Sequence, residues 1–381
     1  MDITRGVGGQ KGHRWFGPRD RMATVVERPM TPLLPVTRPG LSAADIKRRD
    51  MATERNCTRP RHMYKSTPLA ALLVYSLLVL LVRASPYPRQ SDDLVGYFFV
   101  HFYDREASIF AHLSNGNNPL SYQTLNSDNA ILVPTSGTGG VRDPFLVSSP
   151  DKSKFWIIGM DLLIDDTNWD AATRTGSRNL YVWESNDLVN WSSDWLVEVV
   201  GETAGMAWAP EAIWDADAGQ YLVYWSSRFY DADDTAHAGK ATEDRIVSAY
   251  TSDFRTFTKA TDYIVIPRTP IIDLTILPLS DGEYIRFIKN ETVLCVWSEC
   301  SSGGLFGTWT KIGDGYVNPY VTEGPLAFHD NEVEGRIHLW LDEYGGDTRV
   351  ICWLWYTFSR MEYRISAAGP RAGTEITLAA A

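Results

Sequence analysis

Short apolar runs, separated by turn residues, recur along the chain from about Asp92 to Ala381. They include LVGYFFVHFY, FWIIGMDLLI, QYLVYWSS, YIRFIKNE and RIHLWLDE. These runs are rich in aromatic and β-branched residues and are bounded by Gly, Asp, Asn and Pro, a pattern that is typical of β-strands. No segment sustains the period of a helix. The pattern therefore predicts an all-β fold.

An acidic residue opens an apolar run at four places, and an aromatic-rich strand follows each time. The four are Asp143 (VRDPFLV), Glu211 (WAPEAIW), Asp273 (IIDLTIL) and Glu323 (TEGPLAF). We interpret them as occupying the same place in successive copies of one repeat. Several copies close with S-x-D-[LF]-x-x-[WF] or a looser version of it, as in SNDLVNW and TSDFRTF. The spacing of roughly 50–70 residues is typical of propeller blades and other arrays.

The repeat predicts a β-propeller, in which four-stranded units pack around an axis and leave no long exposed sheet edge. About 290 residues divide into five units of about 60, so we expect a five-bladed β-propeller. We expect one blade to be closed by strands from both ends of the chain, with the first strands of the body as its outer strands. The segment DEYGGDTRVICWLWYTFSRMEYRIS lacks the repeat signature. It is either a degenerate last blade or the product of a misread splice junction.

The charge is distributed unevenly along the 381 residues, whose formal net charge is −11. Residues 1–65 carry 14 Lys and Arg against 6 Asp and Glu, whereas residues 66–381 carry 22 against 41. A strongly acidic body argues against nucleic acid as a partner. A neutral polysaccharide imposes no charge requirement, and abundant aromatic side chains suit the faces of sugar rings.

The long apolar run Leu69–Val82 is shorter than the roughly 20 residues of a membrane span. Residues 63–85 therefore read as a signal peptide, with small residues Ala84 and Ser85 at the cleavage site. The alternative is a signal anchor. Residues 1–62 show no periodicity and are interpreted as disordered or as an over-extended gene model. Residues 86–381 would form the propeller domain. Once the signal is cleaved, we expect this domain to be secreted and to have no stable association with a membrane.

Two sequons, at Asn190 and Asn290, agree with a secreted glycoprotein. The body has three cysteines, Cys295, Cys300 and Cys352, which allow one disulfide with a free thiol, or three buried thiols. No Cys/His spacing suggests a zinc site.

The motifs RDPF, WAPEA, IDLTI and EGP, in this order and spacing, resemble glycoside hydrolase family 43 over about Gly96 to Tyr344. This family comprises five-bladed propeller arabinanases, arabinofuranosidases and β-xylosidases, which hydrolyse their substrates with inversion of configuration at the anomeric carbon. The resemblance implies that Asp143 is the general base, Asp273 an aspartate that tunes the acid, and Glu323 the general acid. Chemistry agrees, because inversion needs one carboxylate to activate water and one carboxylic acid to protonate the leaving oxygen.

Three further residues are candidates for contact with substrate. Glu211 is expected to bind a sugar hydroxyl or an axial water rather than to perform chemistry. Trp208 is either a stacking platform for a sugar ring or part of the packing between blades. Arg286 either reaches the pocket, to orient a hydroxyl or Asp273, or is a solvated strand residue. Arg142 should face away from Asp143 and act as scaffold.

The sequence departs from the family near the C-terminus, where PRAGT places Ala372 at the position of a histidine beside an axial metal or water. This departure argues against a bound axial cation, and no cofactor is expected to be required. The predicted function is an inverting glycosidase, active as a monomer, on α-L-arabinofuranosyl or β-D-xylosyl linkages of plant cell-wall polysaccharides.

Two alternatives remain open at this point. One is a fructoside-cleaving propeller hydrolase, which also uses an RDP motif, although its N-terminal NDPNG-like nucleophile motif is absent here. The other is a non-catalytic carbohydrate-binding propeller.

Overall fold

A computed structural model describes residues 94–103, 106–280, 282–318 and 321–343, together with strands at 350–357, 360–367 and 375–379. The predicted signal segment 63–85, the extension 1–62 and Ala372 lie outside these residues, as does the side chain of Cys352. No helix among the described residues is long and apolar enough to cross a membrane.

The described residues form twenty β-strands and one α-helix. The first seven strands are β1 (Leu94–Tyr103), β2 (Glu106–Asn115), β3 (Asn118–Thr124), β4 (Val141–Ser148), β5 (Phe155–Asp161), β6 (Asn179–Ser185) and β7 (Trp195–Glu198). The next seven are β8 (Trp208–Asp215), β9 (Gln220–Ser227), β10 (Arg245–Thr251), β11 (Thr261–Ile264), β12 (Ile271–Ser280), β13 (Glu283–Asn290) and β14 (Cys295–Ser301). The last six are β15 (Thr310–Lys311), β16 (Thr322–His329), β17 (Arg336–Glu343), β18 (Val350–Thr357), β19 (Arg360–Ala367) and β20 (Glu375–Ala379). Helix α1 (Trp169–Arg174) lies between β5 and β6.

These strands pair into five antiparallel four-stranded sheets within the described residues. Four of the sheets follow chain order, β4 to β7, β8 to β11, β12 to β15 and β16 to β19. The remaining sheet has the order β20-β1-β2-β3, so that strands from both ends of the chain share it. The irregular C-terminal segment supplies β18 and β19, which continue the sheet begun by β16 and β17.

Each sheet packs face to face on the next, because alternate side chains of a strand point to opposite faces. In β1, Phe98 and Val100 pack against the β4–β7 sheet, whereas Tyr97 and Phe99 pack against the β16–β19 sheet. Comparable apolar clusters join the remaining neighbouring sheets. The second strand of each sheet is therefore covered on both faces, and its sequence is a nearly continuous apolar run, as in β5, all of whose residues are buried. The predicted all-β fold is confirmed, and the sheets have a propeller arrangement.

The repeated closing signature forms the turn between the third and fourth strands of a sheet. The hydroxyl of Ser185 accepts hydrogen bonds from the amides of Asp187 and Leu188, and that of Thr251 does the same for Asp253 and Phe254. Leu188 and Phe254 both adopt left-handed backbone conformations, with φ of 62° and 54°. The motif therefore encodes a local hydrogen-bonded turn.

Cys295 and Cys300 are not joined by a disulfide. They lie five positions apart on β14, so their side chains point to opposite faces of the sheet.

Candidate active site

All four acids of the repeat lie on the first strand of a sheet, where β4, β8, β12 and β16 contact one another around the centre of the domain. Each of these strands carries one extra residue relative to its partner strand, which makes a β-bulge. The bulges lie between Arg142 and Phe145, Trp208 and Glu211, Ile272 and Leu274, and Glu323 and Leu326. A bulge commonly redirects a side chain beside an active site.

The bulges show that the four acids are not equivalent, and this corrects the interpretation from the sequence. The residue with left-handed backbone is Asp143 (φ 47°), Ala209 (φ 45°), Asp273 (φ 50°) or Gly324 (φ 54°) in the four strands. Only Asp143 and Asp273 therefore occupy the same position. Glu323 lies one residue earlier in its strand and Glu211 two residues later.

A signal for this shift is present in the sequence. Pro144, Pro210 and Pro325 each follow the left-handed residue, so aligning the prolines of RDP, WAP and EGP gives the register of the bulges. Alignment on the acids conceals it.

A pocket opens at the centre of the four first strands. The lining residues are Asp143, Pro144, Phe145, Ala209, Pro210, Glu211, Asp273, Leu274, Gly324, Pro325 and Leu326. Three carboxylates thus face a space whose other walls are mostly apolar. Glu323 is not among these residues, although its neighbour Gly324 is.

Withdrawal from water raises the pKa of Asp143 to about 7. The adjacent Arg142 guanidinium opposes this rise, and the charges of Asp273, Glu323 and Asp342 add to it. Burial also raises the pKa of Asp273, to about 6; the Lys289 ammonium opposes that rise and the Glu323 carboxylate adds to it. Two acids that titrate near neutral pH in one pocket are a common feature of sites for acid–base catalysis.

Asp273 is also fixed by the backbone around it. Its Oδ2 accepts a hydrogen bond of 3.2 Å from the amide of Gly324, and its own amide donates to the hydroxyl of Ser226 at 3.3 Å. These bonds tie β12 to β16 on one side and to β9 on the other. The carboxylate therefore has one supported orientation beside the bulge of β16.

Glu211 is held by hydrogen bonds at the wall of the pocket. Burial raises its pKa well above the ordinary value, while hydrogen bonds from the side chains of Tyr224 and Thr275 oppose the rise. The Tyr224 hydroxyl donates to Glu211 Oε2 at 2.9 Å. The burial of this group therefore favours its protonated form.

Lys289 on β13 is a component of the site that the sequence analysis missed. Its side chain is 1% exposed, and its Nζ lies 2.8 Å from Glu323 Oε2 and 2.9 Å from Glu291 Oε2. The neighbouring negative charges raise its pKa against the opposing effect of burial. A lysine among the isoleucine and phenylalanine residues of the strand EYIRFIKN was a signal for a paired cation, because an unpaired buried charge is costly.

The structure places Arg286 away from the pocket. Its Nε donates to Glu299 Oε2 at 2.7 Å, and its guanidinium lies 4.1 Å from the centre of the Trp309 ring. It is three positions from Lys289 and therefore on the opposite face of β13. Both readings from the sequence, a pocket residue and a solvated residue, differ from this buried ion pair.

Trp208 lies at the rim, one residue before the pocket residue Ala209. Its ring meets that of Trp169 edge to face, with centroids 5.8 Å apart, and packs beside Met160 and Leu162. The guanidinium of Arg142 lies 4.7 Å from the Phe102 ring centre and 5.5 Å from that of Trp169.

Residues 92–351 match the model of a family described as a probable glycosyl hydrolase domain related to glycoside hydrolase family 43. The chain belongs to this family. The predicted resemblance to family 43 and the predicted glycosidase domain are thereby confirmed.

An α-L-arabinofuranosidase of Bifidobacterium longum subsp. longum is 33% identical in an alignment 187 residues long, which covers 46% of this chain and 17% of that protein. The chain thus matches less than a fifth of that relative's length.

Solved structures that resemble this chain include an exo-β-1,3-galactanase of Phanerochaete chrysosporium, at 11% identity and a TM-score of 0.42 over 61% of this chain and 52% of that one. The endo-arabinase of Bacteroides thetaiotaomicron is 12% identical, with a TM-score of 0.42 over 62% of this chain and 84% of that one. These likenesses are too distant to indicate a substrate.

Proposed function

We propose that this protein is an inverting glycoside hydrolase that cuts α-L-arabinofuranosyl or β-D-xylosyl linkages of plant cell-wall polysaccharides. The observation that carries the proposal is the convergence of Asp143 and Asp273 on one pocket, with Glu323 at the adjacent bulge. Membership of the glycosyl hydrolase family and the likeness to an arabinofuranosidase support it.

In this proposal Asp143 removes a proton from the water that attacks the anomeric carbon. Its pKa of about 7 makes it a competent base only where the pH approaches or exceeds that value. Glu323 is the general acid that protonates the leaving oxygen. Asp273 is the aspartate that tunes this acid. An inverting pair needs about 6.5–9.5 Å between the carboxyl groups to admit water.

One observation favours a different proton donor. Glu323 forms an ion pair with Lys289, whose Nζ lies 2.8 Å from Glu323 Oε2, and it does not line the pocket. Glu211, in contrast, lines the pocket, and burial raises its pKa well above the ordinary value. The second candidate mechanism therefore has Glu211 as the acid and Glu323 as an accessory carboxylate.

We further propose that the five sheets are the five blades of a closed propeller, with the β20-β1-β2-β3 sheet as the closing blade. The packing of the β16–β19 sheet on β1 supports this closure. The protein would act as a monomer without a required cofactor.

We also propose secretion, directed by the signal peptide at residues 63–85. N-terminal sequencing of protein recovered from the medium should begin near Pro86. Full-length protein retained in the membrane fraction would instead establish the signal anchor.

The deciding experiment is a panel of nitrophenyl α-L-arabinofuranoside, nitrophenyl β-D-xyloside and sucrose, with NMR of the first-formed anomer. Release of nitrophenol with an inverted product is expected from one of the two nitrophenyl substrates. Cleavage of sucrose alone would indicate the fructoside-cleaving alternative. Saccharide binding without hydrolysis of any substrate would indicate a binding module.

A further inference from the structure

A tryptophan outside the pocket is held rigidly beside it and remains exposed. Trp169 begins helix α1, and 53% of its surface is accessible. The other tryptophans whose side chains the structure describes are buried or half-buried. An aromatic ring beside a pocket offers an apolar face to a ligand that extends out of that pocket.

Neighbouring side chains hold the ring in one orientation. The guanidinium of Arg142 lies over it at 5.5 Å, and Trp208 meets it at an interplanar angle of 77°. Arg142 precedes Asp143, and Trp208 precedes Ala209, so both supports are joined directly to residues that line the pocket. Both contacts therefore support the indole from the rim, and about half of its surface remains accessible.

The helix that carries Trp169 is itself fixed to the domain. Asn168 caps it by accepting a hydrogen bond from the amide of Ala171. At its other end, the Arg174 guanidinium donates to the carbonyl of His237 at 2.7 Å. A Cβ built at Gly176 would lie 2.0 Å from the carbonyl oxygen of Ala172, so the chain after the helix passes too close for any other residue. The ring is thus presented without a large ordering cost on binding.

We propose that Trp169 forms a second sugar-binding subsite, on which the glycosyl unit next to the cleaved one stacks. The chemistry that the indole recognises is the apolar C–H face of a pyranose or furanose ring. This inference rests on the proposed function for the identity of the sugars. It makes the protein selective for oligosaccharides and polysaccharides over single-sugar glycosides.

The test compares Trp169→Ala and Trp169→Phe with Phe306→Ala. Phe306 is 62% exposed and packs on Tyr263 away from the pocket, so it is a matched control for loss of an exposed aromatic ring. For arabino- and xylo-oligosaccharides, Trp169→Ala should raise KM by about tenfold more than it does for the nitrophenyl glycoside, which corresponds to about 1.4 kcal/mol. Trp169→Phe should recover most of that loss, and Phe306→Ala should change neither value.

A binding measurement separates this inference from the proposed function. Calorimetric titration of the Asp143→Asn protein with a tetrasaccharide needs no turnover. Weaker binding of that tetrasaccharide by the Asp143→Asn/Trp169→Ala double variant supports the subsite, even if no nitrophenyl substrate is ever cleaved. Equal affinity of the two proteins, or no binding by the Asp143→Asn protein, overturns it.

Discussion

The ammonium of Lys289 lies 2.8 Å from the carboxylate of Glu323, and the lysine side chain is almost completely buried. Lys289 also pairs with Glu291, and its charge opposes the rise in the pKa of Asp273. One cation therefore balances three acids at the edge of the pocket. Breaking such a pair leaves charge that is poorly solvated.

Replacement of Lys289 by methionine should destabilise the protein by about 3 kcal/mol, because the cost of leaving a buried charge unpaired is of that order. Its loss should also raise the pKa of Asp273 above about 6. Since the folded acids then resist ionisation, the destabilisation should be larger at pH 8 than at pH 5. Urea unfolding at both pH values measures it.

Two variants test the role of the charge at this position. Lys289→Arg keeps the cation and should retain most of the stability. Arg286→Met breaks the ion pair with Glu299 on the other face of β13, so it should destabilise without altering the pH dependence that the pocket acids cause. An equal pH dependence in Arg286→Met and Lys289→Met would contradict the assignment of Lys289 to the pocket.

Asp143→Asn should stabilise the protein at high pH while abolishing hydrolysis. The folded pKa of Asp143, about 7, exceeds the ordinary value of 3.8. Below about pH 4 the group is protonated in both states and contributes no difference. Between pH 4 and 7 only the unfolded chain releases the proton, so stability falls as pH rises. The variant should recover up to about 4 kcal/mol at pH 8, at about 1.4 kcal/mol per pKa unit.

The control variant for this prediction is Asp151→Asn, whose expected change in stability at high pH has the opposite sign. Asp151 is exposed and accepts hydrogen bonds from Ser149 and Ser153, which lower its pKa to about 2. Asp151→Asn should therefore reduce stability at pH 8 and have no effect below pH 2. Thermal unfolding across this pH range compares both variants with the parent, and a gain from Asp143→Asn that does not grow with pH would refute the prediction.

The two candidate proton donors can be distinguished by how strongly the leaving group of the substrate affects the loss of hydrolytic rate when each is replaced. If Glu323 is the acid, Glu323→Gln should lower the rate of hydrolysis about a hundredfold or more on substrates with poor leaving groups. It should lose much less on nitrophenyl glycosides, whose leaving oxygen hardly needs a proton. Kinetics on an oligosaccharide and on its nitrophenyl glycoside provide the comparison.

Glu211→Gln is the matched variant for this experiment. With Glu323 as acid, Glu211→Gln should affect both substrate types alike. The reverse result, with the leaving-group pattern in Glu211→Gln alone, would assign the proton to Glu211. That outcome would agree with the pairing of Glu323 and Lys289.

Gly324→Ala should destabilise the protein by about 1 kcal/mol, because a Cβ at its left-handed φ of 54° is strained. The strain should also disturb the hydrogen bond from the Gly324 amide to Asp273 and so reduce the rate of hydrolysis. Gly315→Ala, at an open site with an ordinary φ, should change neither property. A Gly324→Ala protein with parental stability and rate would show that the bulge tolerates a side chain there.

The sequence by itself determined the features that depend on neighbouring residues. Strand alternation separates Phe98 from Phe99 onto opposite faces of β1. The turns at Ser185 and Thr251 need only a hydroxyl that accepts hydrogen bonds from the backbone amides two and three residues later. These local rules were sufficient to predict an all-β repeat and to place four acids at the start of apolar runs.

Only the tertiary structure decided how these elements combine at the site. Glu323 lies one residue before the left-handed position that Asp143 occupies in its own strand, and Glu211 lies two residues after it, because strand pairing fixes where each bulge falls. Lys289 meets Glu323 across 34 positions of sequence, and Arg286 is buried because Glu299 and Trp309 lie against it. Such contacts depend on which sheets pack together and in which register, and no local pattern specifies that.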